Sequence, residues 1–100
     1  MLHKLFNFRD QIIFVTGSSG QMGTAISKLF LNLGAKVYGL DVKRKKIKHR
    51  NFKFIKIDIT NELQTNIEIK KIFKKEKKID IIINNAGISV YSRIEKRSSI

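Results

Sequence analysis

Nine residues constrain this chain more than any others: Val15-Thr16-Gly17-Ser18-Ser19-Gly20-Gln21-Met22-Gly23. They follow the apolar run Ile12-Ile13-Phe14-Val15 and open onto a segment, Met22 to Leu33, with helical spacing of apolar residues. A strand, a glycine-rich turn and a helix in that order make a site for a phosphate group. Glycines let the backbone turn sharply and approach a ligand closely, and the first N–H groups of the helix point at the anion. In this spacing Gly17 permits the turn, Gly20 lets the chain pass close to a pyrophosphate, and Gly23 lets helix and strand pack closely. Two other motifs fail on single residues. A Walker A loop needs Gly and Lys where Met22 and Gly23 stand, and a nucleophile elbow centred on Ser19 needs Gly where Gln21 stands.

The rest of the chain repeats the strand and helix alternation. Phe6 and Phe8, in the polar lead-in, are placed to pack under a sheet. Gln11 to Val15 reads as a central parallel strand covered on both faces. The helix after the turn puts Met22, Ala25, Ile26, Leu29, Phe30 and Leu33 on one stripe, predicted buried, and Thr24, Ser27, Lys28 and Asn32 on the other side. Gly34 ends it as a left-handed residue. Lys36 to Leu40 is the second strand, with Asp41 at its carboxyl end. Lys43 to Arg50, six basic residues in eight, reads as a solvated loop. Phe52 to Ile57 is the third strand, leading into Asp58-Ile59-Thr60. Asn61 caps a helix to about Lys75, with Leu63, Ile69, Ile72 and Phe73 as core candidates. Ile79 to Ile83 is the fourth strand, followed by Asn84-Asn85-Ala86-Gly87, and residues 88–100 read as a flexible tail. The order implies an α/β fold with a parallel sheet, strand order 3-2-1-4, and right-handed crossover helices.

One hundred residues suit a single small domain, and 42% apolar residues support a folded one. The absence of Cys excludes disulfides and thiolate metal sites, and it makes a reducing cytoplasm the expected compartment. No run approaches ~18 apolar residues, so neither a span nor a membrane partner is expected. The net charge of +13 comes mostly from 16 Lys against 5 Arg, alongside 17 Ile and no Pro. Drift of an AT-rich genome toward Lys, Ile and Asn codons is the first reading of it. An electrostatic surface for nucleic acid or an acidic partner is the second, less favoured reading.

Further residues at the strand ends carry chemistry. Asp41 lies 21 residues beyond Gly20. A carboxylate there accepts hydrogen bonds from adenosine-ribose hydroxyls and repels a 2′-phosphate, which favours NAD over NADP. Lys43 and Arg44 argue the other way, since a nearby cation can pair with that phosphate. Asp58 and Ile59 end the third strand, where they line an adenine pocket or simply make a turn. Asn84 and Asn85 can bond neighbouring strand ends, while Ala86 and Gly87 keep the wall thin enough for a ribose. His3 and His49 have no ligand-spaced partners, so no metal site is expected, and no carboxylate pair suits acid–base work. The lysines from Lys70 to Lys78 read as a solvated helix face.

Taken together and in order, Thr16-Gly17-x-x-Gly20-x-x-Gly23, Asp58-Ile59-Thr60 and Asp80-Ile81-Ile82-Ile83-Asn84-Asn85-Ala86-Gly87 resemble the N-terminal half of the short-chain dehydrogenase/reductase family. The resemblance covers residues ~11–88 and implies a Rossmann-like sheet, here an incomplete doubly wound fold, with NAD(P) in its crevice. It assigns Gly17, Ser19, Gln21 and Met22 to the phosphate turn, alongside the Gly20 and Gly23 of the motif, and Asp41 to the adenosine ribose. Asp58 and Ile59 fall to adenine, and Asn85, Ala86 and Gly87 to the second ribose. The glycine spacing follows the extended branch of the family, whereas Asn-Asn-Ala-Gly belongs to the ordinary branch. Family members act through a Ser and a Tyr-x-x-x-Lys beyond that run. In this sequence Tyr38 is followed four residues later by Val42, and Tyr91 by Glu95.

The expectation is therefore the cofactor-binding portion of an oxidoreductase, with no catalytic residues of its own. It would transfer hydride between nicotinamide and an alcohol or carbonyl only with the missing half supplied, in relatives that are oligomeric. A non-catalytic nucleotide-binding module or partner subunit is the alternative. The fourth strand is expected to be an open apolar edge, prone to aggregate unless paired.

Overall fold

The computed structural model describes residues 7–44 and 47–85. Six elements follow one another: β1 (Ile12–Thr16), α1 (Gln21–Asn32), β2 (Lys36–Asp41), β3 (Phe52–Lys56), α2 (Glu62–Glu76) and β4 (Ile81–Asn84). The four strands make one parallel sheet in the order β3-β2-β1-β4. The expected order is therefore the observed one, and each element falls within one or two residues of its sequence-based bounds.

The apolar runs are continuous because β1 and β2 are covered on both faces. Side chains alternate along a strand, so each run feeds two layers. Ile12 and Phe14 join Tyr38, Leu40, Ile57 and Ile72 of α2 on one face, and Ile13 and Val15 join Val37, Ala35 and Leu31 of α1 on the other. The helices thus sit on opposite faces, as right-handed crossovers to opposite sides of β1 require. Phe8 packs edge-on against Phe30 beneath the α1 layer, with ring centroids 5.2 Å apart. Phe6, His3 and the 88–100 segment lie outside the described residues.

Two helix faces differ from the sequence-based reading. In α1 the buried residues are Gly23, Thr24, Ser27 and Leu31, while Met22 is 63% exposed and Ala25 and Leu29 also face solvent. The cause is the approach of α1 to the glycine turn. A Cβ on Gly23 would stand 2.0 Å from the Gly17 carbonyl oxygen, so backbone meets backbone and only small residues fit beneath. The buried hydroxyls are satisfied locally: Thr24 Oγ1 donates to the Ser18 carbonyl at 3.0 Å, and Ser27 Oγ to the Gly23 carbonyl at 2.7 Å. In α2 the buried residues are Thr65 and Ile72, with Ile69 half-buried, whereas Leu63 is 73% and Phe73 54% exposed.

The helix ends are as expected. Asn61 caps α2, its Oδ1 accepting the Gln64 N–H at 3.1 Å, and Gly34 follows α1 with φ +97°. The basic segment after β2 carries no helix or strand among its described residues, and His49 is exposed. Among the described residues β4 is an edge strand, and no helix is long and apolar enough to cross a membrane.

Candidate functional site

Parallel pairing brings all four strand carboxyl ends to one edge, and the glycine turn sits among them. Gly17 takes φ +65°, a conformation glycine adopts without cost, and its N–H donates to the Leu40 carbonyl at 2.8 Å. Gly20 is the N-cap of α1. It supplies no side-chain cap, and no acidic residue stands in the first turn of the helix. The first-turn N–H groups and the positive end of the helix dipole are therefore left for an external anion. Gln21 and Met22 flank the turn with exposed side chains, and Ser19 is half-buried.

Asp41 holds this turn from the end of β2. Its Oδ2 accepts the Ser19 N–H at 2.9 Å and its Oδ1 the Val42 N–H at 2.7 Å. Ser19 Oγ in turn donates to the Lys43 carbonyl, so two bonds fasten Ser19 to the β2 end. An ionised carboxylate has about four acceptor positions, which leaves two for further donors. Arg44 lies with its guanidinium 5.9 Å from the centre of the Phe54 ring.

Asp58 both shapes a turn and faces the edge. Its Oδ1 accepts from Thr60 Oγ1 at 2.6 Å and from the Thr60 N–H at 3.0 Å, and these bonds hold its carboxyl below the usual range. Ile59 beside it is buried. An open hollow of about 320 Å³ lies between the β2 and β3 ends, lined by Val42, Lys56, Ile57, Asp58 and Gln64.

At the β4 end, Asn85 Nδ2 donates to the Gly17 carbonyl at 3.3 Å, and the Asn85 N–H donates to Thr16 Oγ1 at 3.0 Å. Thr16 Oγ1 also lies 3.1 Å from Asn84 Oδ1 and 3.3 Å from the Ile83 carbonyl, and it donates its proton between them. Ala86 and Gly87 lie outside the described residues.

The structure thus gathers Gly17, Ser19, Gly20, Gln21, Met22, Gly23, Asp41, Asp58, Ile59 and Asn85 along one edge. It also adds two positions. Thr16 joins the β4 end to the turn, and a hydroxyl on the last residue of β1 was the signal for it. Gly39 makes room for the turn, since a Cβ there would stand 2.6 Å from Ser18 Oγ. Nothing local marks that contact.

Tyr38 is not part of this edge. It lies mid-strand on the α2 face, where its hydroxyl donates to the Glu76 carboxylate and Lys36 Nζ approaches Glu76 at 2.6 Å. Burial first, and then the bond to Glu76, push the Tyr38 hydroxyl well above its ordinary range. Its hydroxyl is committed to Glu76 on the α2 face, away from the strand-end edge.

A parallel α/β sheet in the order 3-2-1-4, with an uncapped helix N-terminus and a strand-end carboxylate beside it, defines a Rossmann-like nucleotide fold. The family profile described as short chain dehydrogenase matches residues 11–99, and the chain belongs to that family of oxidoreductases. It is 32% identical over 98 residues to an NAD-dependent glycerol dehydrogenase of Listeria innocua, which covers 92% of this chain and 39% of that protein. Among solved structures, a short chain dehydrogenase of Leptospira borgpetersenii with bound NAD+ superposes with a TM-score of 0.77 at 30% identity, over 88% of this chain and 35% of that one. Ligand-free aldohexose dehydrogenase of Thermoplasma acidophilum gives a TM-score of 0.73 at 36% identity, over 81% and 31% respectively. The chain spans about a third of the length of these relatives.

Proposed function

We propose that these residues are the NAD-binding portion of an oxidoreductase acting on an alcohol or carbonyl, and that alone they bind the dinucleotide without turning over substrate. The observation that carries the choice of nucleotide is the Asp41 carboxylate. It is anchored by the Ser19 and Val42 N–H groups at the β2 end, where a 2′-phosphate would meet a fixed negative charge. The uncapped start of α1 fits a pyrophosphate, with Gly17, Gly20 and Gly23 keeping the backbone close. Asp41 would hold the adenosine ribose, Ile59 and Asp58 the adenine, and Asn85 with Ala86 and Gly87 the second ribose. Bound there, the nicotinamide supplies a hydride acceptor or donor, and the chain's residues position it. No Tyr-x-x-x-Lys occurs within these hundred residues.

Thermal unfolding with NAD+ and NADP+ tests this reading. NAD+ at 100 times its dissociation constant should add about 2.7 kcal/mol of stability, and NADP+ much less. In Asp41→Ala the NAD+ shift should shrink and the NADP+ shift grow. A chain that neither nucleotide stabilises would refute the proposal, and so would substrate-dependent NADH turnover by the purified chain refute its silence.

A further inference from the structure

The outward ridge of α2 is not accounted for by a nucleotide site. Leu63, Ile67, Lys70 and Lys74 recur at i, i+4, i+7 and i+11, so they form one line along the helix, facing away from the buried Thr65 and Ile72. Leu63 is 73% and Ile67 45% exposed, and Lys70, Lys71 and Lys74 are exposed beside them. Phe73, Lys75, Lys77 and Lys78 flank the line and are also exposed. Among the described residues, three of the six large apolar residues that are exposed belong to this one helix.

Of the three carboxylates of the helix, Glu62 stands in the first turn, about two turns from Lys70, and has an interaction of its own. Glu76 turns to Lys36 and Tyr38 of the sheet. Glu68 is half-buried and reaches Lys71 at 3.6 Å. Lys70, Lys74 and Lys77 have no ion pair among the described residues, while Lys75 lies near the Glu76 carboxylate.

Charge complementarity therefore asks for an anionic partner with an apolar layer beneath its charges. A second copy of the chain is disfavoured, because it would present the same lysines under a net charge of +13. The cations from Lys70 to Lys78 are all Lys and none Arg, so the ridge offers point charges, which suit a diffuse anionic surface, and not the planar forks that pair bidentately with single carboxylates or phosphates. A nucleic-acid backbone would use the lysines but would leave Leu63 and Ile67 in water. Lipid headgroups take the lysines of the C-terminal half while the acyl boundary takes Leu63 and Ile67 of the N-terminal half, with the helix tilted so that its N-terminal half sits deeper. We propose that the Leu63–Lys74 ridge of α2 docks this protein onto an anionic phospholipid surface.

Co-sedimentation of the full chain with phosphatidylcholine vesicles, with and without phosphatidylglycerol, tests the proposal. Binding should require the anionic lipid. Lys70→Gln with Lys74→Gln should weaken it roughly thirtyfold, about fivefold per lysine near a charged membrane. Leu63→Gln with Ile67→Gln should weaken it as well. The sequence has no Trp, so Leu63→Trp supplies a lone fluorophore whose emission should shift to the blue on anionic vesicles. Lack of binding to anionic vesicles, equal binding to neutral ones, or Trp emission unchanged in the bound state would each overturn the proposal. Tighter binding to a DNA duplex than to vesicles, unaffected by the Leu63 and Ile67 changes, would overturn it in favour of nucleic acid. The assay contains no dinucleotide, so its outcome is independent of the cofactor reading.

Discussion

The two helices flank the same sheet and bury themselves by opposite means. Helix α1 comes so close to the glycine turn that its buried face holds Gly23, Thr24 and Ser27, and its larger residues Met22 and Leu29 are turned to solvent. Helix α2 has no such close contact. It is held by a few anchors: Ile72 in the core, the Asn61 cap, and Glu76 fastened to Lys36 and Tyr38. The same apolar periodicity therefore meant different things. In α1 separation from the sheet decided which side chains fit beneath, and the site depends on that separation. In α2 the outward face is free to carry Leu63, Ile67 and a row of lysines.

The contrast breaks most sharply at Gly23. Gly23→Ala places a methyl 2.0 Å from the Gly17 carbonyl, 2.8 Å from its carbon and 2.9 Å from Ser18 Cα, all backbone atoms. We expect a loss of about 3 kcal/mol or more in urea unfolding, with loss of the NAD+ thermal shift. A mild effect would mean that α1 can back away from the turn. Next comes α2, where Ile72→Ala should cost about 2–3 kcal/mol, while Leu63→Ala should stay within about 0.5 kcal/mol. Equal losses at the two positions would show that Leu63 has a partner.

The smallest expected effect is the pH dependence of the Glu76 anchor. Burial alone would raise its carboxyl, but the bonds from Lys36 and Tyr38 and the nearby Lys36 and Lys75 charges leave it lowered. A folded value below the unfolded one means that acid drives the unfolded state to take up the proton first. The contribution is therefore complete above the unfolded value of about 4.3 and is lost as pH falls through the folded value. Glu76→Gln should flatten the acid side of the stability profile below about pH 4.5, and an unchanged slope there would show that α2 does not rely on this carboxylate.

Much of the fold was legible because its signals are local. Strand β1 reads as buried from its own side chains. Asn61 announces a cap, Gly34 a left-handed helix end, and Gly17 a sharp turn, each through the conformations its residue type permits. The order of strands followed from alternation and the handedness of crossovers. Most of the site was legible too, since parallel pairing must bring Gly17, Asp41, Asp58 and Asn85 to one edge.

What the sequence alone determined, then, is the list of elements, their order and the edge on which the polar strand ends collect. Which bonds join those ends was decided only in three dimensions: Ser19 to Asp41, Asn85 to Gly17, and Thr16 between the β4 end and the turn. The buried faces of α1 and α2 were decided there as well. Periodicity reports that a helix has an apolar side, but the gap between helix and sheet sets which side chains fit, and that gap is fixed by backbone contacts such as Gly23 against Gly17.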